Sequence, residues 1–329
     1  MTPLLTLVLA LSIPSASPDA PNRQPQLAAH GSKVAIVYAS GNSIQFGLST
    51  DDGKTFGAPV TLPNKDTLAA GMHRGPRVAF TSANNVVVSA IVRGPQNQAS
   101  GHSQSSGNLV AWHSTDLGKT WSAPVRINDA GDAAREGLHA MGGSGNVIYA
   151  AWLDLREKGT TLYGSVSHDG GITWSVNHRI YESPDGTICQ CCHPSVDVAA
   201  DGSVRVMFRN VLAGHRDMYV AESRDGKTFG AATKVGEGSW KIEACPMDGG
   251  GLARDAKGEV AAVYRRESTV FLKAPGLPEK ALDGGKNPAL VATKKGIYAV
   301  WQKGEGIEMW TPGETKPDVL DAHGAFPAL

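Results

Sequence analysis

Short apolar runs broken by glycine recur along the whole chain: Val34 to Tyr38, Val86 to Val92, Val147 to Trp152, Val204 to Phe208, Val260 to Tyr264 and Ile297 to Trp301. They are rich in Val, Ile, Tyr and Trp, residues that suit a pleated, half-buried surface, and none carries the 3.6-residue period of a helix. Strands are therefore predicted throughout. Each run is preceded by an entry segment that usually holds a proline: Arg23-Gln-Pro25, Arg74-Gly-Pro76, Gly137-Leu-His139, Cys192-His-Pro194, Cys245-Pro246 and Asn287-Pro288. Each is followed by a second β-rich segment: Ile44 to Leu48, Leu109 to His113, Leu162 to Val166, Met218 to Ala221, Val270 to Leu272 and Ile307 to Trp310. Six like units emerge, and the tail from Asp318 to Leu329 is expected to supply or close an outer strand.

A second repeat lies at the ends of four units. It reads Ser49-Thr-Asp51-Asp-Gly53-Lys-Thr55-Phe56, Ser114-Thr-Asp116-Leu-Gly118-Lys-Thr120-Trp121, Ser167-His-Asp169-Gly-Gly171-Ile-Thr173-Trp174, and a worn copy, Arg224-Asp225-Gly226-Lys-Thr228-Phe229. Ser and Asp side chains accept from nearby backbone N–H groups, Gly supplies positive φ, and the aromatic packs inward, so each copy predicts a hairpin turn. Gly53, Gly118, Gly171 and Gly226 lie 65, 53 and 55 residues apart, enough for one four-stranded blade with its loops.

This motif is the Asp-box, and the chain resembles the bacterial neuraminidase repeat proteins, whose best-known members are sialidases. The resemblance implies an all-β fold, a six-bladed sialidase-like β-propeller over residues 21–329. It also implies that the boxes sit between third and fourth strands, on the face opposite the ligand site. Asp51, Asp116 and Asp169 look catalytic by residue type and are excluded on that ground.

Charge and the N-terminus bound the partners. The chain has 31 basic and 31 acidic residues, so no global field favours nucleic acid or an anionic membrane. The apolar stretch Leu4 to Ile13, with small residues after it, predicts a signal peptide over residues 1–20, too short to span a bilayer. A periplasmic or secreted protein is expected, with no membrane span, as a monomer.

The expected ligand face collects strand starts and strand ends, and arginine is frequent there. Arg74, Arg156, Arg209, Arg216 and Arg265 are candidates to hold a carboxylate or sulfate in bidentate fashion, which points to an anionic glycan or another small acidic ligand. A sialidase is expected to carry its first Arg in a Phe/Tyr-Arg-Ile-Pro motif; Asn22-Arg23-Gln24-Pro25 and His73-Arg74-Gly75-Pro76 keep only Arg and Pro. Tyr264 and Tyr298 sit inside apolar runs as core residues rather than nucleophiles. Glu243 and Asp248 form one candidate acid/base pair, with Asp154 another candidate, although each also suits neutralisation of nearby arginines. Trp152 closes a strand beside Asp154. His102, in the Gly94 to Gly107 loop, reads as solvated, though such a loop has the makings of a lid.

Sialidases do not account for the cysteines. All four fall at two adjacent unit entrances, Thr187-Ile-Cys189-Gln-Cys191-Cys192-His193-Pro194 and Trp240-Lys-Ile-Glu-Ala-Cys245-Pro246-Met247-Asp248. The pattern looks like a subgroup of exported bacterial Asp-box proteins. Three readings stand. Export permits disulfides, with Cys189 or Cys192 to Cys245 stapling neighbouring units. Cys189, Cys191, Cys192, His193 and Cys245, with Met247, form a soft ligand set suited to copper or zinc. A thiol activated by Arg209 and His193 is the third. Protein scaffolding through the broad face is the remaining alternative.

Overall fold

A computed structural model describes residues 13, 15, 18–94 and 106–329, without the side chain of residue 136; most of the predicted signal peptide, and the lid expected at His102, lie outside the described residues. The described residues form strands and turns with no helix, and no helix among them is long and apolar enough to cross a membrane.

The strands fall into six antiparallel groups, each drawn from one continuous stretch of chain. Their innermost strands are Asn22–His30, Arg77–Phe80, Ala134–Ser144, Ser195–Val198, Gly250–Arg254 and Lys286–Thr293. The fold is an all-β propeller, and the groups are its blades 1 to 6. Second strands such as Val86–Arg93 and Val147–Asp154 are almost wholly buried, because they are covered on both faces by neighbouring blades. Trp112, Trp152 and Trp301, all fully buried, fill the wedges between blades.

Blades 2 and 3 are also joined through the backbone. Ala134 pairs with Gly107 and Arg135 with Ser106, so these two blades form one continuous sheet. The tail supplies the outer strand of blade 6 itself, Asp318–Asp321 against Gly306–Trp310, and adds no strand to blade 1. Beyond it the chain turns across the face that carries the inner-strand starts, where Phe326 meets His73 edge-on at 5.2 Å between ring centroids.

The boxes lie between third and fourth strands. In each of the first three the Ser Oγ accepts from the Gly N–H and donates to the Asp, as in Ser114 to Asp116 (2.8 Å), while the Asp accepts from the backbone and hydroxyl of the Thr that follows it in the same turn, as in Thr120 N–H to Asp116 (2.9 Å). The fourth copy keeps the Asp contacts in a turn one residue shorter: Ser223 donates to Asp225 and Thr228 N–H to Asp225, at 2.8 and 2.7 Å.

Two outcomes test the role of these turns in stability. Hydrogen bonds from the Thr120 hydroxyl and backbone and from Ser114 hold the Asp116 carboxyl down to about 2. A depressed carboxyl stabilises the fold above its unfolded pKa of about 4 and loses that contribution as pH falls through about 2. The urea midpoint of Asp116→Asn is therefore expected to be lower than wild type at pH 6 and to converge on it toward pH 2. Gly118 has φ of +82°, and a Cβ there would lie 2.1 Å from the Phe46 ring. Gly118→Ala should cost more than about 2 kcal/mol in urea denaturation.

Candidate functional site

The face opposite the boxes carries a polar belt around the inner-strand starts. The Gln24 side-chain oxygen accepts from His73 N–H at 2.9 Å, and His73 Nε2 meets Asn287 Oδ1 at 2.8 Å. Asn287 Nδ2 donates to Gln302 (2.9 Å), so its Oδ1 is the acceptor and His73 carries its proton on Nε2. Asn287 N–H donates to Asp248 (3.2 Å), and Asp248 faces the guanidinium groups of Arg265 at 2.8 Å and Arg209 at 3.6 Å. One chain of contacts thus runs through blades 1, 2, 6, 5 and 4. Gln24, His73, Met247 and Asn287 all hold positive φ, between 54° and 67°. Left-handed non-glycine backbone costs about 1–3 kcal/mol per residue and survives where surrounding contacts over-determine it, which the belt supplies.

Inside the belt, His193 stacks on His73 with centroids 4.3 Å apart, and its Nδ1 accepts from Gly249 N–H at 3.2 Å. Burial pushes both imidazole pKa values down, so the two rings stack uncharged. Together with Arg77, Ser195 and Pro288 they line a channel of about 180 Å³ that also meets Pro327 to Leu329.

The thiols gather beside the belt, under blade 4. Cys189 is anchored by its N–H to Arg209 O at 3.0 Å, and the tight turn that follows brings three sulfurs together. Cys189 Sγ is 3.1 Å from Cys192 Sγ and 3.6 Å from Cys191 Sγ, and Cys191 and Cys192 are 3.9 Å apart. All three are buried, with Val211 and Met247 packed on them. Arg216 donates from Nη1 to Cys189 Sγ at 3.3 Å. Hydrogen bonds from the Cys191 and Cys192 thiols draw the Cys189 pKa down, aided by the Arg209 charge. The Cys191 thiol is pushed up to about 12, first by its bond to Cys189, with Cys245 beside it adding to the rise; burial raises Cys192.

A family model described as BNR repeat-like domain matches residues 78–252, more than half of the chain. The chain belongs to the BNR repeat-like family. No curated protein sequence matches it. Among solved structures it is similar to the alpha-L-arabinanase of Penicillium chrysogenum complexed with arabinobiose, at 14% identity and a TM-score of 0.58, over 91% of this chain and 93% of that one. It is also similar to the alpha-L-arabinofuranosidase of Fusarium graminearum with arabinobiose (13%, TM-score 0.59, 92% and 93%). The NanB sialidase of Streptococcus pneumoniae matches at 12% and a TM-score of 0.58, over 89% of this chain and 67% of that one. These identities speak for a glycosidase-like propeller fold.

On this BNR propeller the predicted residues separate. Arg209, Arg216 and Arg265 converge: the guanidinium groups of Arg209 and Arg265 lie 5.5 and 5.1 Å from the Trp240 ring centre, and Arg216 O accepts from Arg209 at 2.8 Å. Arg209 and Arg265 are engaged within the protein, Arg209 by three carbonyls and Asp248, Arg265 by its ion pair with Asp248 and by Pro246 O, and the cavity among the three arginines is only about 10 Å³. Arg156 is engaged on the flank of blades 2 and 3, bonded to Asp154, Asp129 and Asn177 and stacked on Tyr163. Asp154 is fully buried and also accepts from the Trp152 indole at 2.7 Å. Arg74 sits half-buried at the blade 2 entrance, close to Gly137. Glu243 is exposed while Asp248 is fully buried as the counter-charge of two arginines.

Two expectations about the cysteines are corrected. None of the four is disulfide-bonded: the buried sulfurs stand 3.1 to 3.9 Å apart, and Cys245 is exposed. His193 does not join the thiols, because its ring is turned onto His73 and its Nδ1 is spent on Gly249. The histidine stack, the Trp240 platform and the ring of left-handed residues were not foreseen. They are made by residues far apart in the chain, so no local signal in the sequence marks them.

The buried carboxylate gives the expected outcome here. Asp248→Ala leaves two guanidinium groups without their anion and should cost about 3–5 kcal/mol in chemical denaturation, with Asp248→Asn intermediate.

Proposed function

We propose that the protein binds a soft metal ion, copper(I) or zinc, on Cys189, Cys191 and Cys192, as an exported protein of the periplasm or exterior. The observation that carries this reading is the approach of three buried sulfurs to within 3.9 Å of one another. Thiols are weak hydrogen-bonding groups, so three in one buried turn gain little from each other, whereas a soft cation bridges them strongly. Four sulfurs at about 2.3 Å around one zinc would stand about 3.8 Å apart, close to two of the three separations. Arg216, at 3.3 Å from Cys189, and Arg209 supply positive charge against a thiolate set. The leader-like stretch Leu4 to Ile13 supports export.

The test is elemental analysis with free-thiol counting on protein purified anaerobically, followed by titration against a chromophoric chelator. About one ion per chain is expected, lost in Cys189→Ser and Cys192→Ser; full thiol reactivity with no bound ion in wild type would refute the reading.

A second reading is favoured by the channel beside His73, Arg77 and His193, about 180 Å³ in volume, on a fold whose similar structures include two complexes with arabinobiose. It is recognition of an oligosaccharide, anionic or neutral, at the central mouth. Binding across a panel of acidic and neutral oligosaccharides should weaken at least tenfold in His73→Ala; no binding to any member would dispose of it.

A further inference from the structure

The three buried cysteines and the exposed one are held by different parts of the chain, and that division has a chemical meaning. Cys189, Cys191 and Cys192 share one turn, are at most 7% exposed, and are fixed by the Cys189 N–H bond to Arg209 O. Cys245 belongs to a separate strap, Trp240 to Met247, that carries no regular strand. Within it Glu243, Ala244 and Cys245 are exposed, while Met247 folds back onto the three thiols.

Arg216 ties this strap to the turn. Its N–H donates to Trp240 O at 2.8 Å, its Nε to Ile242 O at 3.3 Å and its Nη1 to Cys189 Sγ at 3.3 Å. The strap gains a further rung from Ile242 N–H to Gly214 O at 3.3 Å. Cys245 is therefore exposed to solvent two residues before Met247, which packs on the three thiols, in a strap that Arg216 ties to Cys189. A structural zinc site is closed by four protein ligands in a tetrahedron. Here three sulfurs are buried and the fourth is at the surface, an arrangement suited to a soft monovalent ion that is content with three sulfurs and must arrive and leave by ligand exchange. The guanidinium groups of Arg216 and Arg209 offset the two negative charges that one copper(I) and three thiolates would carry.

We infer that Cys245 is an exchange ligand: copper(I) held by Cys189, Cys191 and Cys192 enters and leaves through transient bonding to Cys245, with a small thiol or thioether compound as the donor or acceptor. Exchange moves Cu–S bonds only; no electron is transferred, each thiol that gains the ion releases its proton to solvent, and each thiolate that gives the ion up can take one back. This rests on the thiolate-centre reading, and the experiment separates the two.

Full-length protein is loaded anaerobically with one equivalent of copper(I), and transfer to excess bicinchoninate is followed by absorbance. Wild type, Cys245→Ser, Cys245→Met and Cys192→Ser are compared. The expected result is one copper per chain in wild type and in both Cys245 variants. Transfer should slow at least tenfold in Cys245→Ser and recover in part in Cys245→Met, whose thioether is also soft. Transfer from Cys245→Ser at the wild-type rate would overturn the inference, and so would loss of copper from that variant, since Cys245 would then be a fourth core ligand. Failure of wild type to take up copper would instead overturn the centre itself. Unchanged urea midpoints of the Cys245 variants, expected for an exposed side chain, show that transfer and not folding is being read.

Discussion

A carboxylate buried between two guanidinium groups organises the working half of this propeller. Asp248 is fully buried, and such a charge is tolerable only when countered and hydrogen-bonded. Arg265 and Arg209 counter it, and Asn287 N–H bonds it, so the inner edges of blades 4, 5 and 6 are drawn to one point. Arg209 then has no freedom left, because its remaining donors hold the carbonyls of Arg216 and Arg265. The Arg209 carbonyl in turn receives Cys189 N–H, and the thiol turn hangs from that bond. The arginines that seem made for a ligand therefore serve first as the frame on which the sulfurs are mounted.

Geometry at the mouth follows from the same constraint. Gln24, His73, Met247 and Asn287 keep left-handed backbone because their side chains or neighbours are caught in the belt or packed on the thiols. Strain of this kind collects where a site needs backbone and side chain fixed together. Here it fixes His73 against His193 and leaves the channel rim uncharged on that side.

Much of this was legible in the sequence and some was not, for identifiable reasons. Apolar runs and turn residues are local signals, so the six units, their strand entrances and the box positions could be read directly. The clustering of the cysteines was also legible, since two adjacent entrances must meet. What each arginine does was not: Arg156 and Arg209 look like ligand-binding residues until their partners Asp129, Asn177 and Asp248 arrive from other segments. His193 follows Cys192 directly in the chain, yet its side chain turns to the opposite flank of the turn, a choice made by Gly249 and His73. Adjacency in sequence misleads wherever a tight turn separates successive side chains.

The seams of the ring are not equal. Blades 2 and 3 share backbone rungs at Ala134 and Arg135, whereas the link across from blade 6 is made by His73 with Asn287 and with Phe326. Backbone pairing resists local opening better than a few side-chain contacts do. The last blade is thus tied back to the start of the ring by side chains rather than by a shared sheet. Blades 4 and 5 are held together at Asp248, which also takes the Asn287 N–H, so the closure of the ring and the frame that mounts the sulfurs share one residue.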